Sequence, residues 1–229
     1  MLLFKQCKYF GALGKSRSGE YTIFLLKNRS VLAPSCCGAS PDPLLPPPCY
    51  SIRMSWIVVG LGNPDKEYVG TRHNIGKDLV NALRDKLPKK AKVAELNVYM
   101  NNSGGPIKKL ITSKKAAEKL IVLHDELDLP LGRVKISYGS SAGGHNGVRS
   151  IENALKTKDY VRIRIGISGE TPSGKLKRPK PEKISDFVMA KFKPTEADKI
   201  KKVKKIVAEA LDLILEEGVE RAQTETNSK

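Results

Sequence analysis

Residues 56–87 read WIVVGLGNPDKEYVGTRHNIGKDLVNALRDKL. The run Trp56–Val59 is apolar and closes on Gly60, the pattern of a buried strand. A Gly/Asn/Pro loop follows. A helix is then predicted from about Asn74 to Leu87, because Ile75, Leu79, Leu83 and Leu87 are four apart and share one face. The chain beyond repeats the alternation. Ser103-Gly-Gly-Pro106 reads as a helix start with Ser103 as cap, and Leu120–Leu123 as a second buried strand. Arg133–Tyr138 and Tyr160–Ile167 alternate as strands, with Arg162 and Arg164 on the face opposite Val161, Ile163, Ile165 and Ile167. A short helix is expected between them, from about Val148 to Leu155. A basic loop, GETPSGKLKRPKPEK, precedes a last helix that Thr195 is placed to cap, with Ile200, Val203, Val207, Leu211 and Ile214 as its stripe. These elements predict an α/β fold: a single three-layer domain with a mixed, mostly parallel central sheet flanked by helices.

The chain has 229 residues and a formal net charge of +17, which points to a polyanionic partner. It holds no apolar run of about 18 residues, so no membrane-spanning helix is expected. All four cysteines (Cys7, Cys36, Cys37, Cys49) precede Met54, which excludes a disulfide framework or a cysteine zinc site from the later part. Two regions follow: an unstructured extension over 1–53 and a folded domain over 54–229. The extension carries seven Lys/Arg against Glu20 and Asp42, and six prolines between Pro34 and Pro48. Its basic, hydroxyl-bearing start is that of an organellar transit peptide, so a mitochondrial location is expected, with a cytoplasmic or other organellar one as the alternative.

The three histidines sit in polar segments, TRHN, LHDELD and GGHNG, rather than on apolar stripes. Imidazole titrates near neutrality and suits proton transfer. Other chemistries fit less well. Gly60-Leu-Gly62 lacks the third glycine of a dinucleotide loop, since Asp65 stands there. Gly139-Ser-Ser-Ala-Gly143 matches a serine-esterase elbow, yet the only histidine after Ser141 comes four residues later, as His145. No H-x-H or H-x-x-x-H pair marks a metal site. What remains is a histidine, a carboxylate to orient it and several asparagines, a set suited to water-mediated cleavage of an activated acyl ester.

The blocks VVGLGNPDKEYVGTRHNIG (58–76), YMNNSG (99–104), HDELDLPLGRVK (124–135), GGHNGVRSI (143–151) and RIRIGIS (162–168) resemble, in order, those of the bacterial-type peptidyl-tRNA hydrolases. The resemblance implies an esterase that frees tRNA from a peptide attached at its 3′-terminal ribose, without metal or other cofactor. It implies His73 as the catalytic histidine and Asp125 as the carboxylate holding it. Asn63 and Asn101 match amides of the peptide and water site, Tyr68 a tyrosine of the same pocket, and Asn146 the asparagine near the tRNA acceptor end. Asn101 is assigned the contact that distinguishes peptidyl from free aminoacyl esters. Lys135, Arg149 and Arg164 are candidates for tRNA phosphates. A monomer acting away from membranes is expected.

His124 should point to the side of its strand away from Asp125 and is read as structural. His145 either orients the Gly143–Gly147 loop or touches the acceptor stem. The chain also departs from the family pattern. Asp65 replaces the usual glycine after Asn-Pro, Ser137 stands where a basic residue is common, and the stretch from Leu87 to Tyr99 is short enough that an edge strand or hairpin is expected to be missing. Two other functions compete: a non-catalytic RNA-binding relative with the same fold, and an esterase acting on a small substrate.

Overall fold

The computed structural model describes residues 13–15, 21–23 and 55–228. The chain divides into two compact units, at Met1–Ser51 and Ile52–Lys229. In the first, β1 (Leu13–Lys15) pairs antiparallel with β2 (Tyr21–Ile23). The other parts of the expected unstructured extension, including its cysteines and proline-rich stretch, lie outside the described residues.

The second unit is built on the strands β3 (Trp56–Gly60), β4 (Ala91–Val93), β5 (Leu120–Pro130), β6 (Val134–Tyr138) and β7 (Val161–Glu170), in the order β4-β3-β5-β7-β6. Strands β4, β3, β5 and β7 run parallel, β6 is antiparallel to β7, and β8 (Leu176–Lys177) pairs with the far end of β7. This is the mixed, mostly parallel sheet expected. Helices α1 (Ile75–Leu83), α6 (Ala197–Glu216) and α7 (Val219–Asn227) cover one face, where Val58, Ile121, Leu123, Ile163 and Ile165 meet Leu79, Val207 and Leu211. On the other, α2 (Gly104–Leu110), α3 (Lys114–Ala117) and α4 (Asn146–Leu155) pack Ile107, Ala117, Val148 and Ile151 against Val59, Leu120 and Val122. Covering both faces is why Leu120–Leu123 is apolar without alternation.

Three local expectations need correction. Helix α1 ends at Leu83 and gives way to a 3₁₀ turn, Arg84–Lys86, short of Leu87. Ser103 starts α2 but does not cap it: its hydroxyl donates to Met100 O at 2.7 Å. Thr195 does not cap α6 either, because it lies inside a 3₁₀ turn, Pro194–Glu196, where Glu196 Oε2 takes the Lys193 N–H at 2.6 Å. The short Leu87–Tyr99 stretch holds one three-residue edge strand, β4, and no hairpin among the described residues. Strand β5 also runs well beyond Leu123, because His124, Asp125 and Glu126 stay in register with Arg164, Ile165 and Gly166 of β7. The hydrophobic run marked only its apolar start, and the polar residues that follow, His124 to Glu126, are buried as well.

Two glycines let α1 lie directly on the sheet. A Cβ on Gly76 would meet Leu123 O at 2.3 Å, and one on Gly60 would meet Gly76 O at the same distance. Both obstacles are backbone and cannot turn aside. Gly76→Ala is expected to destabilise the fold by about 3 kcal/mol, read as a lowered urea midpoint; an unchanged midpoint would mean that α1 does not pack this closely.

Candidate active site

The site forms at the carboxyl ends of β3 and β5, the place where parallel sheets leave a crevice. The loop after β3 carries Asn63 and ends in a 3₁₀ turn, Arg72–Asn74, that presents His73 just before α1. Both neighbours of His73 are locked. Arg72 is 4% exposed, and its guanidinium lies over the rings of Phe187 and Phe192 at 4.7 and 4.9 Å. It donates to Lys191 O at 2.7 Å and to Glu196 at 2.8 Å. Asn74 accepts from Asn63 N at 2.9 Å and donates to Asn63 O at 3.1 Å. His73 therefore sits on a turn held from both sides, although its own ring is free to meet β5.

Asp125 is the meeting point. His73 Nδ1 donates to its Oδ1 at 2.9 Å, and His145 Nε2 donates to the same oxygen at 3.0 Å. His145 is the N-cap of α4, where its Nδ1 accepts from Val148 N at 3.3 Å. The ring centroids of His73 and His145 are 5.1 Å apart. His124 is fully buried, donates from Nδ1 to Asp125 O at 2.7 Å, and packs its ring edge-on against His145.

Burial alone would raise the Asp125 pKa, but the two histidines outweigh it and hold the carboxyl well below the usual carboxylate range. For His73, burial pulls the pKa down, and the Asp125 charge and hydrogen bond more than offset this; the net shift is upward. Burial and the neighbouring His145 push His124 well below the normal imidazole value, so it is neutral. With Nδ1–H on Asp125, the basic lone pair of His73 is at Nε2.

Asn63, Tyr68, His73, Asn101, Asp125 and Asn146 all line one cavity of about 580 Å³. Asn63 is 5% exposed and its orientation is set, since Oδ1 takes the Met100 N–H at 2.9 Å and leaves the NH₂ group for other partners. Asn101 and Asn146 are exposed, the first on the 3₁₀ turn Met100–Asn102 and the second at the start of α4. Asp65 accepts from Tyr99 Oη at 2.6 Å, bridging two loops beside the cavity. Lys135, Arg149 and Arg164 do not line it. Lys135 and Arg164 lie opposite each other on β6 and β7, and Arg149 is exposed on α4. Arg164 is tied to Glu126 Oε2 at 2.8 Å, with Ser137 Oγ at 3.4 Å. Arg162, on the same face, is buried. Sequence reasoning missed the contact of His145 with Asp125, the anchoring by Arg72, and the helix α5 (Ile184–Met189), whose Ile184, Val188 and Met189 form an apolar side of the cavity.

The peptidyl-tRNA hydrolase family model matches residues 57–229. The chain belongs to the peptidyl-tRNA hydrolase family. It is 34% identical over 191 residues to the peptidyl-tRNA hydrolase of Paenarthrobacter aurescens, covering 74% of this chain and 94% of that one. It is 36% identical over 188 residues to that of Frankia casuarinae, covering 73% and 91%. Among solved structures, the crystal structure of peptidyl-tRNA hydrolase from Acinetobacter baumannii aligns with a TM-score of 0.63 at 28% identity, covering 77% of this chain and 96% of that one. The match to the peptidyl-tRNA hydrolase family takes in every residue around the cavity, and it leaves the first 56 residues outside.

Proposed function

We propose that the chain hydrolyses the ester between an N-blocked aminoacyl or peptidyl group and the 3′-terminal ribose of tRNA, with His73 as general base. The observation that carries this is the His73–Asp125 pair opening onto a cavity lined with amides. Nε2 of His73 takes a proton from water as the water attacks the acyl carbonyl. Asp125 stabilises the imidazolium that forms, without taking the proton itself. The proton then passes to the ribose oxygen as the C–O ester bond breaks, giving a free peptide acid and tRNA. An alkoxide leaves far more readily than an amine, so no covalent enzyme intermediate is needed.

Specificity for N-blocked substrates has a physical source in the asparagines. An amide NH₂ donates to a peptide carbonyl, whereas a free α-ammonium would face it donor to donor. Asn63 has the fixed donor, and Asn101 stands exposed beside the same cavity. Asn101→Asp, and more strongly Asn63→Asp, are expected to lower kcat/KM for N-acetylaminoacyl-tRNA, by about tenfold or more for Asn63. An equal loss on simple acyl esters would argue against this role.

His73, Asp125 and His145 offer ligand atoms within 4.8 Å of one another, close enough for a metal ion. The hydrogen bonding argues for a metal-independent reaction, since ring nitrogens that donate to Asp125 present protons where an ion needs lone pairs. Lys135 and Arg149 are free to meet the tRNA backbone, while Arg164 would have to loosen its bond to Glu126 first. Lys135→Ala and Arg149→Ala are each expected to lower the salt slope of tRNA binding by about one. The same reading takes the protein as a monomer working off the membrane; no described helix is long and apolar enough to cross one. The basic, acid-poor composition of residues 1–53 supports delivery to a mitochondrion, which a fluorescent fusion of those residues would test.

The deciding experiment is release of tRNA from N-acetylaminoacyl-tRNA and from aminoacyl-tRNA by the purified chain in a chelator. Cleavage of the first alone is expected. Cleavage of neither would leave a binding module, and indifference to the tRNA portion a small-molecule esterase.

A further inference from the structure

A single carboxylate oxygen, Asp125 Oδ1, accepts from two imidazoles: His73 from the α1 side and His145 from the α4 side. The bonding of His145 leaves no choice of tautomer. The Val148 N–H can only donate, so His145 Nδ1 accepts and carries no proton. The ring proton is then on Nε2, aimed at Asp125, and a proton on Nδ1 would set N–H against N–H. His145 is thus a donor of fixed direction, anchored by its cap bond to the first turn of α4.

We propose that His145 is a positioning residue for the hydrolysis: it clamps the Asp125 carboxylate where His73 meets it and draws off part of the charge that would otherwise act on His73 alone. The proposal rests on the hydrolase reading above. It explains a feature that reading leaves unused, since orienting His73 needs only one hydrogen bond to Asp125. The clamp also joins the catalytic pair to the segment bearing Asn146, the next residue. Other titratable groups around the trio are Tyr68, Tyr99, Glu126 and Arg178 along the cavity, with His124 and Arg162 beneath on the sheet. Glu126 is paired with Arg164 and Arg178 with Asp128, so neither is the stronger influence on Asp125.

His145→Asn separates clamp from cap. Asparagine is a good N-cap and keeps the Val148 bond, but its shorter side chain gives up Asp125. The variant should stay folded, with a melting midpoint lowered only by the lost bond to the buried carboxylate. Its kcat on N-acetylaminoacyl-tRNA should fall by roughly 5–50-fold with KM little changed. The acid limb of its pH profile should move up by about half a unit to one unit, because Asp125 then acts on His73 undivided. An unchanged kcat and limb would reduce His145 to a cap and overturn the proposal. A measurement on the unsubstituted protein needs no variant: ¹⁵N shifts should place the His145 proton on Nε2, and a proton on Nδ1 would overturn it too. Activity of the unsubstituted chain separates the two levels. If it cleaves the substrate and only the His145 predictions fail, the inference falls alone; if it does not cleave, the hydrolase reading falls and takes the inference with it.

Discussion

His73→Ala is expected to lower the rate of N-acetylaminoacyl-tRNA hydrolysis by roughly 10²–10⁴-fold. Of the two imidazoles on Asp125, His73 has the basic lone pair at the cavity, because its other ring nitrogen donates its N–H to Asp125 and His145 has its own lone pair spent on Val148. Among the described residues, His73 makes no side-chain hydrogen bond to the sheet other than that to Asp125, and the turn bearing it is held by Arg72 and Asn74. The variant should therefore fold, and it should still bind tRNA through surfaces the substitution does not touch. Single-turnover kinetics beside a filter-binding isotherm would separate the two effects. Full activity in a folded variant would remove His73 from the chemistry.

Asp125→Asn is expected to cost a comparable factor, roughly 10²–10⁴-fold, and to change the pH profile in a specific direction. In the unsubstituted protein the His73 pKa is raised, so the neutral base is lost as pH falls through a value above about 6.5. Removing the Asp125 charge removes the cause of that rise and leaves burial, which acts the other way. The acid limb of kcat/KM should then lie at lower pH in the variant. The rate on the plateau falls nonetheless, because an amide neither enforces the Nδ1–H tautomer nor stabilises the imidazolium. A limb that moved upward, or did not move, would mean that another group controls the profile.

How far the sequence went depended on whether a signal was local. Trp56–Gly60 and Leu120–Leu123 announced themselves as buried strands, and the stripe from Val203 to Ile214 announced α6, because burial leaves a periodic trace along the chain. The cap assignments at Ser103 and Thr195 failed, since residue type alone does not say whether a 3₁₀ turn precedes the helix. Alternation placed Arg162 on the face of Arg164, but the burial of Arg162 comes from elements packed over a central strand, which the pattern does not record. At the site, TRHN, HDELD and GGHN were visible as chemistry-bearing segments, and the six cavity residues named from the family resemblance line one space. The shared oxygen of Asp125 was not legible. It depends on His73 and His145 approaching from separate layers, 52 and 20 residues away along the chain. Arg72 was equally hidden, for its partners lie 118 to 124 residues further on.

The most direct test of a water-activating imidazole steered by Asp125 is the ¹⁵N-detected titration of His73 in the folded, unsubstituted protein. The expected result is a proton on Nδ1, a pKa above about 6.5, and coincidence of that pKa with the acid limb of kcat/KM for N-acetylaminoacyl-tRNA. A His73 that titrates below that value, or whose titration leaves no mark on the rate, would contradict it.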